Sequence, residues 1–153
     1  MTQKGTITAV CISESKGMRK TDIGQGMLLK QHGLEGDAHA GDWHRQVSLL
    51  SVSSINKMRE RGLDVDKGDF AENLTVDGID VWTLPVGTQF TIGKALLEVT
   101  QIGKECHTRC AIYYQAGDCV MPREGIFARV LEPGPVAVGD ELVILDMGKG
   151  DGS

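Results

Sequence analysis

Long apolar runs are missing from this 153-residue chain; none approaches the roughly 20 residues that a membrane span needs, which excludes a membrane-crossing helix. No secretory leader is expected. Met1-Thr2-Gln3-Lys4-Gly5 runs straight into an alternating segment, with neither a basic-then-apolar region nor a small-residue cleavage site, so a cytoplasmic location is expected. Positive charge is in short supply. A net charge of -5 excludes a general nucleic-acid binder, because affinity for phosphate backbones rests on concentrated Lys and Arg; a local basic pocket for one small anion is still compatible. Cysteine is sparse as well. Four cysteines in a chain of this length without an export signal are expected to be mostly reduced, and read better as buried, metal-binding or reactive than as bridges.

What is present is ordinary in bulk and uneven in detail. Hydrophobic content of 41% with 24% charged residues is that of a globular domain, and the length suits one domain, expected over residues 1–146. The tail Met147 to Ser153 has three glycines and no apolar pattern, and is expected to be mobile. Twenty glycines beside only three Phe, two Trp and two Tyr suggest many turns joining short elements, which points to β structure. Strands are expected at Thr6 to Ser13, Gly26 to Gln31, Gln46 to Val52, Asn73 to Val76, Gln89 to Ile92, Ala95 to Ile102 and Glu141 to Leu145. Gly93-Lys94 should turn a hairpin, and Asp77-Gly78 another turn.

Two helices are expected among these strands. The first has Ser53 or Ser54 as N-cap, Ile55 and Met58 on one face, and Gly62 at its C-terminal cap. The second covers Arg123 to Leu131, where Ile126 with Val130 and Phe127 with Leu131 fall at helical spacing between Pro122 and Gly134. The fold class is therefore mainly β, a closed or partly open barrel with one or two short helices.

Four segments could carry chemistry. In Gly103-Lys104-Glu105-Cys106-His107-Thr108-Arg109-Cys110 a strand runs out into a loop, and loops on rigid strands are where sites are usually mounted. Arg109 and His107 beside Cys110 would stabilise a thiolate, the form that attacks sulfur, accepts a persulfide or binds a soft metal. The charged and polar neighbours set this stretch apart from a core strand. Zinc held by Cys106, His107, Cys110 and Cys119 is an alternative, but one C-x3-C with a lone third cysteine differs from the usual paired short knuckles.

The second segment runs from Gly33-Leu34-Glu35-Gly36-Asp37-Ala38-His39-Ala40-Gly41 through Asp42-Trp43-His44-Arg45. Its glycines let backbone approach a ligand, while His39, His44 and Arg45 offer donors to an anion. No helix follows, so neither phosphate-binding fingerprint applies, and Asp37 and His39 serve equally well as loop staples. The third is Gly68-Asp69-Phe70-Ala71-Glu72-Asn73-Leu74, where Glu72 and Asn73 together suit a ring edge with both donors and acceptors. The fourth, Asp118 to Gly125, mixes Cys119 with Arg123 and Glu124, and helix capping accounts for Glu124 without function.

Taken in order, these segments resemble the MOSC domain, found at the C-terminus of eukaryotic molybdenum cofactor sulfurases and in small free-standing bacterial proteins. The resemblance is carried by Gly33 to His39, Arg45-Gln46-Val47-Ser48-Leu49-Leu50, Glu72-Asn73-Leu74 with Gly78-Ile79, Val86-Gly87 with Ile92-Gly93, Cys106 to Cys110, and Glu124 to Ala128 with Gly139-Asp140. It implies a barrel like that of the pyruvate kinase β domain, and a role in sulfur or molybdenum-cofactor chemistry. In the related amidoxime-reducing enzymes a metal-ligating cysteine follows an Arg and precedes an apolar segment; Arg109-Cys110-Ala111-Ile112 looks like that site, which selects Cys110 over Cys106. The same enzymes hold the pterin partly through residues corresponding to Asn73 and Ser51, and carry an Arg where this chain has Ala71.

The resemblance implies a stand-alone protein in which Cys110 carries a persulfide or ligates a molybdenum-bound pterin, with Ser51, Asn73, Glu72, Arg45, His39 and Arg109 around the ligand. Its expected partners are a cysteine desulfurase and the proteins that make or accept molybdenum cofactor. A small molybdenum-dependent reductase component and a non-catalytic zinc module are the alternatives. Pyridoxal phosphate, which the family meets through its companion desulfurase, finds no support here: neither Lys94 nor Lys104 has a phosphate-anchoring context.

Overall fold

The computed structural model describes residues 4–12, 21–37, 40–41, 46–60, 62, 72–102 and 125–146. Their strands are β1 (Lys4–Ile12), β2 (Thr21–Asp22), β3 (Gln25–Leu29), β4 (Gly33–Leu34), β5 (Val47–Ser51), β6 (Leu74–Asp77), β7 (Gln89–Ile92), β8 (Ala95–Ile102), β9 (Ile126–Glu132), β10 (Gly134–Ala137) and β11 (Glu141–Asp146). Seven of them close on themselves in the order β1, β11, β7, β8, β9, β5, β6 and back to β1. The barrel is closed. Closure leaves none of these seven strands with a free edge, which removes the template for pairing with another chain.

Alternation explains most of the barrel wall. In β8, Ala95, Leu97 and Val99 point inward while Leu96, Glu98 and Thr100 are part-exposed, and in β7 Phe90 and Ile92 are the buried pair. These side chains join Ile7, Leu49, Leu74 and Leu142 in one continuous core. Burying each of the side chains larger than Ala95 fully contributes about 1.5–3 kcal/mol. The small sheet β10-β3-β4 adds Leu28, Leu34 and Val136 to the same core, so it is part of the domain and not an appendage.

Alternation breaks most fully in β5, buried at every position, and three consecutive residues are buried in β6 as well. β5 pairs with β6 in parallel, the one parallel pair of the barrel, and α1 (Val52–Glu60) follows β5 directly and packs on both strands with Ile55 and Met58. Strands covered on both faces read as unbroken apolar runs. The helix stops where expected: Gly62 has φ +90° and its N–H donates to the Arg59 carbonyl at 2.9 Å. Its start differs. Because β5 runs straight into the helix, the first turn opens at Val52, and the Ser53 hydroxyl turns outward to donate to Asp80 Oδ1 at 2.8 Å.

The second expected helix is a strand. Ile126 to Glu132 form β9, which pairs with β5 on one side and β8 on the other. Ile126, Ala128 and Val130 are buried at a period of two, and the i,i+4 apolar pairs that suggest a helix are also members of a period-two set. Gly33-Leu34, expected in a loop, is strand β4. The hairpin at Gly93-Lys94 and the turn at Gly78 stand, with φ of +59° at Gly93 and +88° at Gly78. The tail from Met147 and the expected cap at Glu124 lie outside the described residues.

Candidate functional site

Four strand pairs share one row across the barrel wall: Ile102 faces Ile126, Ile126 faces Leu49, Leu49 faces Leu74, and Leu74 faces Val10. The expected site segments hang from this row. The chain that includes Cys110 leaves after Ile102 and returns before Ile126, while Glu72-Asn73 enters at Leu74 and Cys11 follows Val10.

Beside the row lies a buried polar cluster. Asn73 is 1% exposed, and its Oδ1 accepts from the Ser48 N–H at 2.9 Å and from the Ser48 hydroxyl at 3.2 Å. Its Nδ2 donates to the Cys11 carbonyl at 3.0 Å, and its backbone N–H meets Ser48 Oγ at 3.0 Å. One side chain therefore ties β1, β5 and β6 together where their ladders begin. Glu72 next to it is fully buried, with the Thr75 hydroxyl donating to Oε2 at 3.4 Å. A buried carboxylate is costly unless paired, and such groups concentrate at functional sites.

Ser51 is buried too but belongs elsewhere. Its partner across the parallel ladder is Val76, two residues further along than Leu74. Its hydroxyl donates to the Ile79 carbonyl at 2.8 Å and accepts from the Val81 N–H at 2.9 Å, so it fastens β5 to the 3-10 turn Val81–Thr83. Glu72 and Asn73, neighbours in the chain, are both buried at the entry to β6, with separate side-chain partners, and Ser51 lies at another level of the wall. Cys110, Arg109, His39 and Arg45 lie outside the described residues, as do His107, His44, Cys106 and Cys119 of the alternative readings. Among the described residues no group of three His, Cys, Asp or Glu side chains could hold a metal ion, and the zinc set proposed from sequence falls wholly outside them.

Toward a pterin the described site residues present buried groups: Asn73, 1% exposed, has committed its carbonyl oxygen and one amide hydrogen to the strands, and Glu72 is fully buried. Two structural residues escaped the sequence reading. Ser48 and Gln46, like Ser51, are buried polar residues among the apolar residues of this strand segment, and that incongruity was the available signal. Gln46 Oε1 accepts from the Val130 N–H at 2.9 Å.

The described residues thus form a closed seven-stranded β-barrel with one α-helix, one parallel strand pair and a side sheet. A family model described as MOSC domain matches residues 35–143, and the chain belongs to that family. Solved structures agree on the fold. The YuaD protein from Bacillus subtilis superposes with a TM-score of 0.78 at 18% identity, covering 97% of this chain and 100% of that one. YiiM from Geobacillus stearothermophilus gives 0.71 at 19%, covering 95% and 77%, and YiiM from Escherichia coli gives 0.64 at 22%, covering 97% and 71%. No curated protein sequence gives a match.

Proposed function

We propose that this small MOSC protein handles sulfur or molybdenum cofactor through Cys110, as a persulfide carrier or as the ligand of a pterin-bound molybdenum. The observation that supports it is the shared row in the barrel wall. Ile102 and Leu74 are three strands apart on it, about 14 Å at the usual spacing, with Asn73 one residue beyond. Cys110 follows Ile102 by eight residues, which extend to as much as about 26 Å, so the thiol is within chain reach of Glu72 and Asn73.

In the persulfide reading the Cys110 thiolate attacks the terminal sulfur of a donor cysteine persulfide. A new S–S bond forms at Cys110, the donor's S–S bond breaks, and the donor cysteine leaves as its thiolate, so no outside oxidant is required. Arg109 favours the attacking thiolate; Arg45 and His39 supply donors to the anionic parts of a ligand, and Glu72 with Asn73 faces its ring edge. The donor is a cysteine desulfurase in the cytoplasm, and the acceptor a protein of molybdenum-cofactor synthesis or use. In the metal reading, molybdenum bound to a pterin would find in the same thiolate the soft donor that suits it.

Incubation with a cysteine desulfurase and cysteine, followed by mass spectrometry, tests the first form: added sulfur on wild type, absent from Cys110→Ser, is expected. Equal sulfur on the two proteins overturns the assignment. Molybdenum analysis of protein made in a molybdopterin-competent host tests the second. Stoichiometric metal lost in Cys110→Ser supports ligation, whereas zinc at that stoichiometry displaces both forms.

A further inference from the structure

The register of β5 on β9 pairs Val47 with Ala128 and Leu49 with Ile126, so an uninterrupted ladder would place residue 45 opposite Val130. The groups of Val130 that face that way are already taken. Its N–H donates to the side-chain Oε1 of Gln46 at 2.9 Å, and its carbonyl accepts from the Gln31 N–H at 3.1 Å. The Gln46 amide, 1% exposed, also reaches Gln31 Oε1 from its Nε2 at 3.4 Å. Gln31 holds φ +56°, the one described non-glycine residue in that region, which bends the chain back toward the barrel. On the backbone side, a Cβ at Gly33 would stand 2.3 Å from the Gln46 carbonyl oxygen, so the two chains meet without room for any side chain.

Gln31 and Gly33 lie just before loop 35–45, and Gln46 closes it. Gln31 and Gly33 on one side and Gln46 on the other thus converge on one buried amide and form a neck. Inside the neck, the Gly41 N–H donates to the His32 carbonyl at 2.7 Å and the Ala40 N–H to the Asp37 carbonyl at 3.1 Å.

We infer that Gln46 is a positioning residue: its amide takes the Val130 N–H and, with Gln31, welds residues 31–37 and 40–41 to β9, so that losing the amide frees these residues while the barrel stays closed. The inference goes beyond the function proposed above and does not depend on which ligand Cys110 carries. Gln46→Leu keeps the bulk but removes the acceptor, leaving the Val130 N–H without its partner. Gln46→Glu keeps an acceptor, and the Gln31 amide turns to present its own N–H₂.

Native-state hydrogen exchange on the full chain reads the weld. In Gln46→Leu the Gly41 amide should exchange roughly ten-fold faster than in wild type, with the ladder amides of β7 and β8 unchanged, and Gln46→Glu should restore most of the protection. Gly41 exchange unchanged in Gln46→Leu overturns the inference. Equal acceleration of the β7 and β8 amides also overturns it, because Gln46 would then be an ordinary core residue, and so does a Gln46→Glu protein as fast as Gln46→Leu. If Gln46→Leu does not fold, the Gln46→Glu comparison with wild type still decides, since lost protection at Gly41 in that variant speaks against the acceptor role.

Discussion

Asn73 and Ser48 are joined four times over: Asn73 Oδ1 accepts from the backbone N–H and the hydroxyl of Ser48, and the Asn73 N–H is shared between Ser48 Oγ and the Ser48 carbonyl. With the bond from Nδ2 to the Cys11 carbonyl, the pair fixes the start of the only parallel ladder in the barrel against β1. Parallel pairing is slightly weaker per residue than antiparallel pairing, so an added side-chain tie has the most to contribute there.

Removing that tie should be costly. Asn73→Ala removes the acceptor of the buried Ser48 N–H and the donor to the buried Cys11 carbonyl, and a loss of about 2–4 kcal/mol is expected. Asn73→Asp keeps both acceptor bonds at Oδ1 and should fall between Ala and wild type. Urea unfolding with an unchanged m-value checks both. Equal stability of all three proteins would deny Asn73 its role as a clamp.

Ser51→Ala should act locally. It removes the acceptor of the Val81 N–H and the donor to the Ile79 carbonyl, so a loss of about 1–3 kcal/mol is expected. Trp82 sits in the same 3-10 turn with the Lys57 ammonium 4.5 Å from its ring centroid. A loosened turn should change Trp82 fluorescence before global unfolding. An unshifted emission in Ser51→Ala would mean that the turn is held by other contacts.

Elements with local causes were legible in the sequence. The hairpin at Gly93-Lys94 and the α1 stop at Gly62 follow from residues within a few positions of one another. β9 was not, because Ile126, Phe127, Val130 and Leu131 satisfy helical and strand periods alike, and what decides is pairing with β5 and β8, distant in the chain. Gln46, Ser48 and Asn73 illustrate the same limit at the site. Their types marked them as polar in an apolar setting, but their partners lie 84, 25 and 62 residues away. Of the site residues read from sequence, Glu72 and Asn73 are buried at the entry to β6 and Ser51 stands apart, while Cys110, Arg109, Arg45 and His39 are outside the described residues.

The ion pair between Arg129 and Glu98 bridges β9 and β8 but should matter little. Both guanidinium nitrogens, Nε at 3.1 Å and Nη2 at 2.7 Å, address the same oxygen Oε1, and the Arg129 side chain is 43% exposed. Single-oxygen geometry forgoes the parallel fork that makes such pairs strong, and solvent screens the rest. Arg129→Ala is expected to cost no more than about 1 kcal/mol in thermal or urea unfolding. A loss of several kcal/mol would show that the barrel seam between these strands depends on the pair.

Two glycines with positive φ separate conformational strain from steric exclusion. Gly24, at φ +76°, has nothing within 4 Å of an added Cβ, so Gly24→Ala should cost only the left-handed backbone penalty, about 1–2 kcal/mol. Gly33, at φ +115°, adds a collision with the Gln46 carbonyl at 2.3 Å, where backbone on both sides resists movement. Gly33→Ala must part β4 from β5 or leave the Gln46 neck open, and a loss of at least about 3 kcal/mol is expected. The difference between the two variants, read by urea midpoints in the same background, isolates the close approach. Should Gly33→Ala prove no worse than Gly24→Ala, the chains at the neck are free to separate without disturbing the core.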